Sequence, residues 1–136
     1  MALEKQWRVN DIVNESKINE DLKLNLEKQV AAAVWLQTIG KIAEAIILLK
    51  LFLLGDDSDG EKKILTGVWV QAVGQLSQAI GVEKQITATT KEIVIEGQKI
   101  AITGDWYQTI GAALQAIGGE QVLVEEQQEE IVEFVP

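Results

Sequence analysis

The sequence predicts an all-α protein, specifically an antiparallel three-helix bundle built from about three degenerate repeats. Three observations lead to this prediction. A block of 15 residues recurs three times, small residues and apolar residues each return every seven positions, and no proline stands inside any of the predicted helices. A seven-residue period of this kind places one set of side chains along a single stripe of a helix.

The repeats share more than their period. They read AVWLQTIGKIAEAII at 33–47, GVWVQAVGQLSQAIG at 67–81 and GDWYQTIGAALQAIG at 104–118. Each has Trp at its third position and Gln at its fifth, and the first copy ends in Ile where the others end in Gly. We therefore expect one helix per repeat, and the different ending of the first copy indicates that the three copies are not equivalent.

The third and seventh positions of each heptad are apolar, with spacings of four and three that form a helical stripe. We predict this stripe to be the core of the bundle. The predicted core residues are Trp35, Ile39, Ile42, Ile46, Trp69, Val73, Leu76, Ile80, Trp106, Ile110 and Ile117.

Glycines form a second row along the same helices. Each glycine inside a helix costs about 1 kcal/mol relative to alanine, so a row of them is typical of a face where two backbones approach closely. The partner would be another helix of the chain, another subunit or lipid; in the alternative, the glycines are inherited from duplication of a short heptad. The predicted interaction face comprises Gly40, Gly67, Gly74, Gly81, Gly104, Gly111 and Gly118.

A row of glutamines lies on the side away from the apolar stripe. Its members are Gln71, Gln78, Gln85, Gln108 and Gln115. We interpret this row as solvated helix surface, with amide hydrogen bonding between helices of an oligomer as the alternative.

Capping and turn residues set the predicted helix limits at about 16–54, 61–88 and 91–117. The first helix follows an arm or short helix and has Ser16 or Asn19 as N-cap. It ends at Gly55, where a run of Asp, Ser and Gly indicates a turn. The third ends at Gly118-Gly119, so that residues 1–118 form the repeat bundle and residues 119–136 an acidic tail that docks or stays mobile.

Residues 91–103 admit a second interpretation. The segment EIVIEGQKIAIT alternates in polarity and has Gly-Gln at its centre, which is typical of a short β-hairpin. The position of Gly97 relative to the third repeat matches that of Gly60 relative to the second, which favours a helix. Too little chain separates the second and third helices for them to run parallel, so neighbouring helices are predicted to be antiparallel.

Composition excludes several functions. The chain has no Cys and no His, which rules out thiol nucleophiles, Cys/His zinc sites and histidine acid/base chemistry. A net charge of −9 disfavours nucleic acid as a partner. The N-terminus lacks an export signal, so a cytoplasmic location is expected.

One apolar window, Val30 to Leu54, is long enough to cross a membrane. It contains Lys41, Glu44 and Lys50. Charges inside a span are costly, so a helix buried on most sides in a soluble bundle is the preferred interpretation.

No catalytic, cofactor or metal site is predicted. The loop at 56–61 is similar to a calcium loop, but Gly55 stands where the first Asp of an EF-hand would be needed. We therefore interpret it as a turn between helices, and we expect no enzymatic activity because no carboxylates are paired at a spacing suited to acid/base catalysis.

The blocks WLQTIG, WVQAVGQLSQAIG and WYQTIGAALQAIGG resemble the repeats of an uncharacterised family of small repetitive all-helical proteins from spore-forming Gram-positive bacteria. The likeness covers about 45 positions of the 136 in the chain. It implies no activity and no catalytic residues. The sequence as a whole predicts a structural or interaction protein that self-associates or binds another helical protein, with peripheral attachment to a membrane surface as the alternative.

Overall fold

The structure is a computed structural model that describes residues 2–55 and 58–134. These residues form three helices: α1 (Ala2–Leu54), α2 (Asp59–Ile86) and α3 (Lys91–Phe134). The described part of the chain contains no strand, so the all-α prediction is confirmed. The segment 91–103 is helical, and the β-hairpin alternative is wrong.

The first helix begins earlier than predicted. It is continuous from Ala2, and the expected caps Ser16 and Asn19 lie in its interior. No Pro or Gly precedes Gly40, so nothing in the sequence interrupts the backbone hydrogen bonds.

The third helix ends later than predicted. Gly118-Gly119 is not a stop, and the predicted tail is helical as far as Phe134. None of the described glycines has a positive φ, so neither residue adopts the left-handed cap that ends many helices. Gly118 instead packs against Gly60 and Ile64 of α2, and this contact requires it to stay helical.

Local interactions define the start and the end of α2. Ser58 is its N-cap, and the Ser58 hydroxyl accepts a hydrogen bond from the Glu61 amide at 3.1 Å. At the other end the Thr87 amide donates to the Glu83 carbonyl at 3.0 Å. Four residues, 87–90, then connect α2 to α3.

The central helix is α2, which packs on both others, whereas α1 and α3 do not contact each other. Glycines pair across α2 and α3 in opposite order along the two helices, so this pair is antiparallel. The facing pairs are Gly60 with Gly118, Gly67 with Gly111, Gly74 with Gly104, and Gly81 with Gly97.

The contact between α1 and α2 is also antiparallel but smaller. Its buried cluster consists of Ala45, Val68 and Ala72, with Ile42, Leu48 and Ile64 at its edges. Thr38 is buried nearby, and its hydroxyl donates to the Val34 carbonyl at 2.8 Å and lies 3.3 Å from the Gln75 carbonyl oxygen of α2. Small side chains therefore make most of this interface.

One segment of α1 and one segment of α3 extend past the parts of these helices that pack on α2. Residues 2–26 of α1 are exposed throughout, as are residues 126–134 of α3. They project at opposite ends of α2, because α1 begins beyond the C-terminal end of α2 and α3 ends beyond its N-terminal end.

Candidate interaction surface

The glycines of α2 and α3 bring two backbones into unusually close contact. A Cβ atom placed on Gly67 would lie 2.5 Å from the Gly111 carbonyl oxygen, and one placed on Gly81 would lie 2.6 Å from the Gly97 carbonyl oxygen. The obstructing atoms belong to the backbone and cannot rotate away. Only glycine allows this separation, which also brings Cα–H groups close to the carbonyl oxygens of the facing helix.

Two of the described glycines have open space where a Cβ atom would lie. Gly40 and Gly119 have nothing within 4 Å of a Cβ position. Gly40, a predicted member of the interaction face, therefore lies on a side of α1 that no other described residue covers. The remaining six predicted glycines are buried between α2 and α3.

A glutamine follows most of these glycines by four residues. The Cγ atoms of Gln71, Gln85 and Gln115 lie 2.7–2.9 Å from the Cβ positions of the facing glycines. The side-chain methylenes thus cover the glycine of the other helix, and the amides continue along the interface.

The amides are linked into a network that joins all three helices. Gln75 donates to Gln37 of α1 and to Gln78, each at 3.2 Å. Gln108 of α3 donates to the same Gln78 oxygen at 3.2 Å. Further along the interface, Gln115 donates to Gln71. The interpretation of the glutamine row as solvated surface is wrong for Gln71, Gln78, Gln108 and Gln115, whose amides bond between helices of one chain. The Gln85 amide donates to the Gly81 carbonyl of its own helix.

The predicted apolar core is mostly exposed, and this prediction is wrong for most of its members. Trp106 is 66% exposed, Ile39 64% and Val73 54%. Also exposed are Ile46, Trp69, Leu76, Ile80, Ile110 and Ile117, whereas Trp35 and Ile42 are half-buried. The third and seventh heptad positions lie about 200° and 240° around the helix from the glycine, so a helix that packs through glycine turns them outward.

One predicted core residue, Trp35, makes a polar contact with another helix. Its indole Nε1 donates to Glu83 Oε2 of α2 at 2.6 Å. This contact connects α1 to the C-terminal end of α2.

We call these outward residues together the Trp–Ile surface. Trp69 and Val73 of α2 line one shallow groove together with Leu49 of α1 and Tyr107 of α3. On α2 the Trp–Ile surface lies on the side of the helix opposite to Gln71 and Gln78. The Trp–Ile surface comprises Ile39, Ile46, Trp69, Val73, Leu76, Ile80, Trp106, Ile110 and Ile117.

A second groove, of about 870 Å³, separates α1 from the start of α3. Its apolar lining includes Leu22, Leu26, Val30, Val82 and Ile86. Its polar lining combines acidic, basic and neutral side chains. Among the described residues no three carboxylates come together as a metal site. Asp56 and Asp57 of the predicted turn lie outside the described residues.

Within the described residues, α1 is the one helix that is long and apolar enough to cross a membrane, on length and composition alone. Most of its apolar window is exposed. Within that window Lys41 and Glu44 form an ion pair at 2.8 Å.

Comparison of the chain with protein-family models, with curated proteins and with solved structures gives no match.

Proposed function

We propose that this protein is a self-associating structural protein, in which the Trp–Ile surface is covered by a second copy of the chain. The bundle predicted from the sequence would then be completed between copies rather than within one. The exposure of the nine Trp–Ile residues supports this proposal. Burial of apolar surface is the main favourable term in folding and association, and one chain buries few large apolar side chains.

The extent of the surface suits a protein interface. Its nine residues are each between 36% and 66% exposed. Covering them removes roughly 700–900 Å² per protomer, close to the ~800 Å² per partner that a stable interface of standard size buries. A patch of this size exceeds what monomeric proteins usually expose.

Charge favours a protein partner over a lipid surface. Residues 64–82 of α2 contain no Asp, Glu, Lys or Arg, so association of this stripe removes no charge from water. The chain as a whole carries a net charge of −9, which repels the anionic lipids of a cytoplasmic leaflet.

The test is the mass of the full chain in solution, measured by light scattering over a concentration series. We expect a multiple of the 15.0 kDa chain mass. Val73→Lys places a charge in the centre of the surface and should move the equilibrium toward monomer. A wild-type chain that is monomeric at every concentration would overturn the proposal.

A matched control separates the surface from the added charge. Ala112→Lys adds the same side chain at an exposed position of α3 outside the Trp–Ile surface, and it should leave the mass unchanged. Circular dichroism of both variants confirms that helix content is retained. Equal loss of assembly in the two variants would count against the Trp–Ile surface as the interface between copies.

One observation favours a second function, attachment to a membrane. The apolar window of α1 is mostly exposed, with Leu36, Ile47 and Leu53 among its outward side chains. In this case the wild-type chain would sediment with neutral phosphatidylcholine vesicles, and Leu36→Lys with Ile47→Lys would release it. Absence of sedimentation with any vesicle composition would exclude this function.

A further inference from the structure

Helix α3 carries an apolar stripe that continues past the end of its pairing with α2. The stripe begins at Thr103 and ends at Phe134, so it extends over more than four heptads with alternating spacings of three and four. Glu120 and Gln127 are its two strongly polar positions. Its other members are Trp106, Ile110, Ala113, Ile117, Val124 and Ile131. A stripe sustained over this length is typical of a coiled coil.

The stripe faces away from α2. The glycines of α3 contact α2, and the stripe lies on the opposite side of the helix. Its exposure confirms this placement, with Val124 51% and Ile131 64% exposed. The whole length of the stripe is therefore available to a partner outside the chain.

The last part of α3, residues 126–134, is exposed throughout among the residues that the structure describes. Val122 lies beside Gly60 of α2. Beyond it the helix runs from Leu123 to Phe134, and helices of this length are marginal in water without packing. A helix at this position is explained if its apolar stripe packs on a second helix.

We infer that α3 pairs with α3 of a second copy as an antiparallel coiled coil along this stripe. The inference rests on the proposed self-association and assigns the α3 part of the Trp–Ile surface, in a stated direction, to one contact of that association. The partner is a second copy because its α3 offers a stripe of the same length, period and composition.

Charge selects the antiparallel direction. Residues 120–134 contain six Glu and no basic residue, so a parallel pair would align these carboxylates and place Glu120 opposite Glu120 of the other copy. In the antiparallel pair each acidic segment lies along residues 103–119 of the other helix, where Asp105 is the only charged residue. Like charges at close range destabilise association, so the parallel pair is disfavoured.

Side-chain size fits the same direction. When Thr103 lies opposite Phe134 of the other copy, Trp106 faces Ile131 and Ala113 faces Val124. Thr103 and Ala113 then lie opposite the larger Phe134 and Val124, as close packing requires, while Ile110 and Ile117 face Gln127 and Glu120.

Disulfide trapping tests the pairing directly, because the chain has no cysteine. Ala113→Cys and Val124→Cys are prepared separately, then unfolded together, refolded and oxidised, and the products are separated by mass. The antiparallel pair predicts that the mixed disulfide predominates and that either variant alone forms little dimer. Ala112→Cys, with a side chain outside the stripe, should form none.

The alternative outcomes are distinguishable. Equal self-linking of Ala113→Cys and of Val124→Cys would show a parallel pair and overturn the inference. Absence of any disulfide in a chain whose light-scattering mass is still oligomeric would also overturn it, while the proposed self-association would stand. A monomeric mass would overturn both.

Discussion

A Cβ atom placed on Gly74 would lie 2.6 Å from the carbonyl oxygen of Gly104. The two residues face each other near the middle of the pairing between α2 and α3, and neither can be enlarged without moving a backbone. This relationship explains why glycine persists in the interior of two long helices. The close approach of the helices compensates for the helix propensity that each glycine lacks.

Gly74→Ala is therefore expected to destabilise the protein. Alanine gains about 1 kcal/mol of helix propensity but forces the helices apart, and overpacking typically costs about 1–3 kcal/mol. The melting temperature should fall. Gly40→Ala and Gly119→Ala are matched controls, because a Cβ at either position meets nothing within 4 Å, and both should raise the melting temperature. A higher melting temperature for Gly74→Ala would contradict the close packing.

Ala45→Leu is expected to loosen α1 without opening the α2–α3 pair. Ala45 is fully buried against Val68 and Ala72, so a larger side chain separates α1 from α2 at a cost of about 1–3 kcal/mol. Hydrogen exchange should accelerate in residues 34–48 and stay unchanged in α3. Ala43→Leu adds the same side chain at an exposed position of α1 and should have little effect. Uniform acceleration through all three helices would show that α1 and the α2–α3 pair unfold as one unit.

Gln75→Ala is expected to weaken the contact between α1 and α2, because it removes hydrogen bonds of the amide network. Gln75 is 5% exposed and donates to amides on α1 and α2. Its removal loses two hydrogen bonds, each with a net value of about 0.5–1.5 kcal/mol. Denaturant unfolding measures the loss. Gln29→Ala, at an exposed position of α1, provides the comparison and should change stability little. Equal stability of the two variants would mean that the network has no net effect.

Lys84→Met is expected to change stability by less than about 1 kcal/mol. The Lys84–Glu96 ion pair, at 2.8 Å, connects α2 to α3 near their turn, but the Glu96 side chain is 60% exposed. Exposed pairs gain little because water screens them. Denaturant unfolding at low and high salt checks this. A loss as large as that expected for Gly74→Ala would show that the ion pair, rather than the glycine contact, holds the two helices together.

The sequence predicted the helices better than it predicted their packing. The repeat with Trp at its third position identified three helices, and the turns after Leu54 and Ile86 are encoded by local residues such as Ser58. The heptad pattern contained two faces, one apolar and one rich in glycine. Hydrophobicity alone assigned the core to Trp69 and its equivalents.

In the structure the glycine face, and not the apolar face, forms the contact between α2 and α3. Close contact between two backbones depends on the absence of side chains, and a hydrophobic pattern does not indicate where side chains are absent. Gly118 illustrates the same limit. By local rules it is a helix stop, and only its position opposite Gly60 shows that the helix must continue. The glutamine network was missed for a related reason. A glutamine four residues after a glycine looks solvated until the facing helix is known to be in contact.

Because the glycines are spaced seven residues apart, α2 and α3 could pair through them in more than one alignment. Sliding α3 by one heptad would place Gly104 opposite Gly67 and again set glycine against glycine. The repeat therefore cannot select its own alignment. The four-residue connection at 87–90 selects it, because a turn of that length allows only one of the equivalent alignments. Between separate copies no such tether exists, so lengthening this turn is the change that would allow helices to slip or to exchange partners.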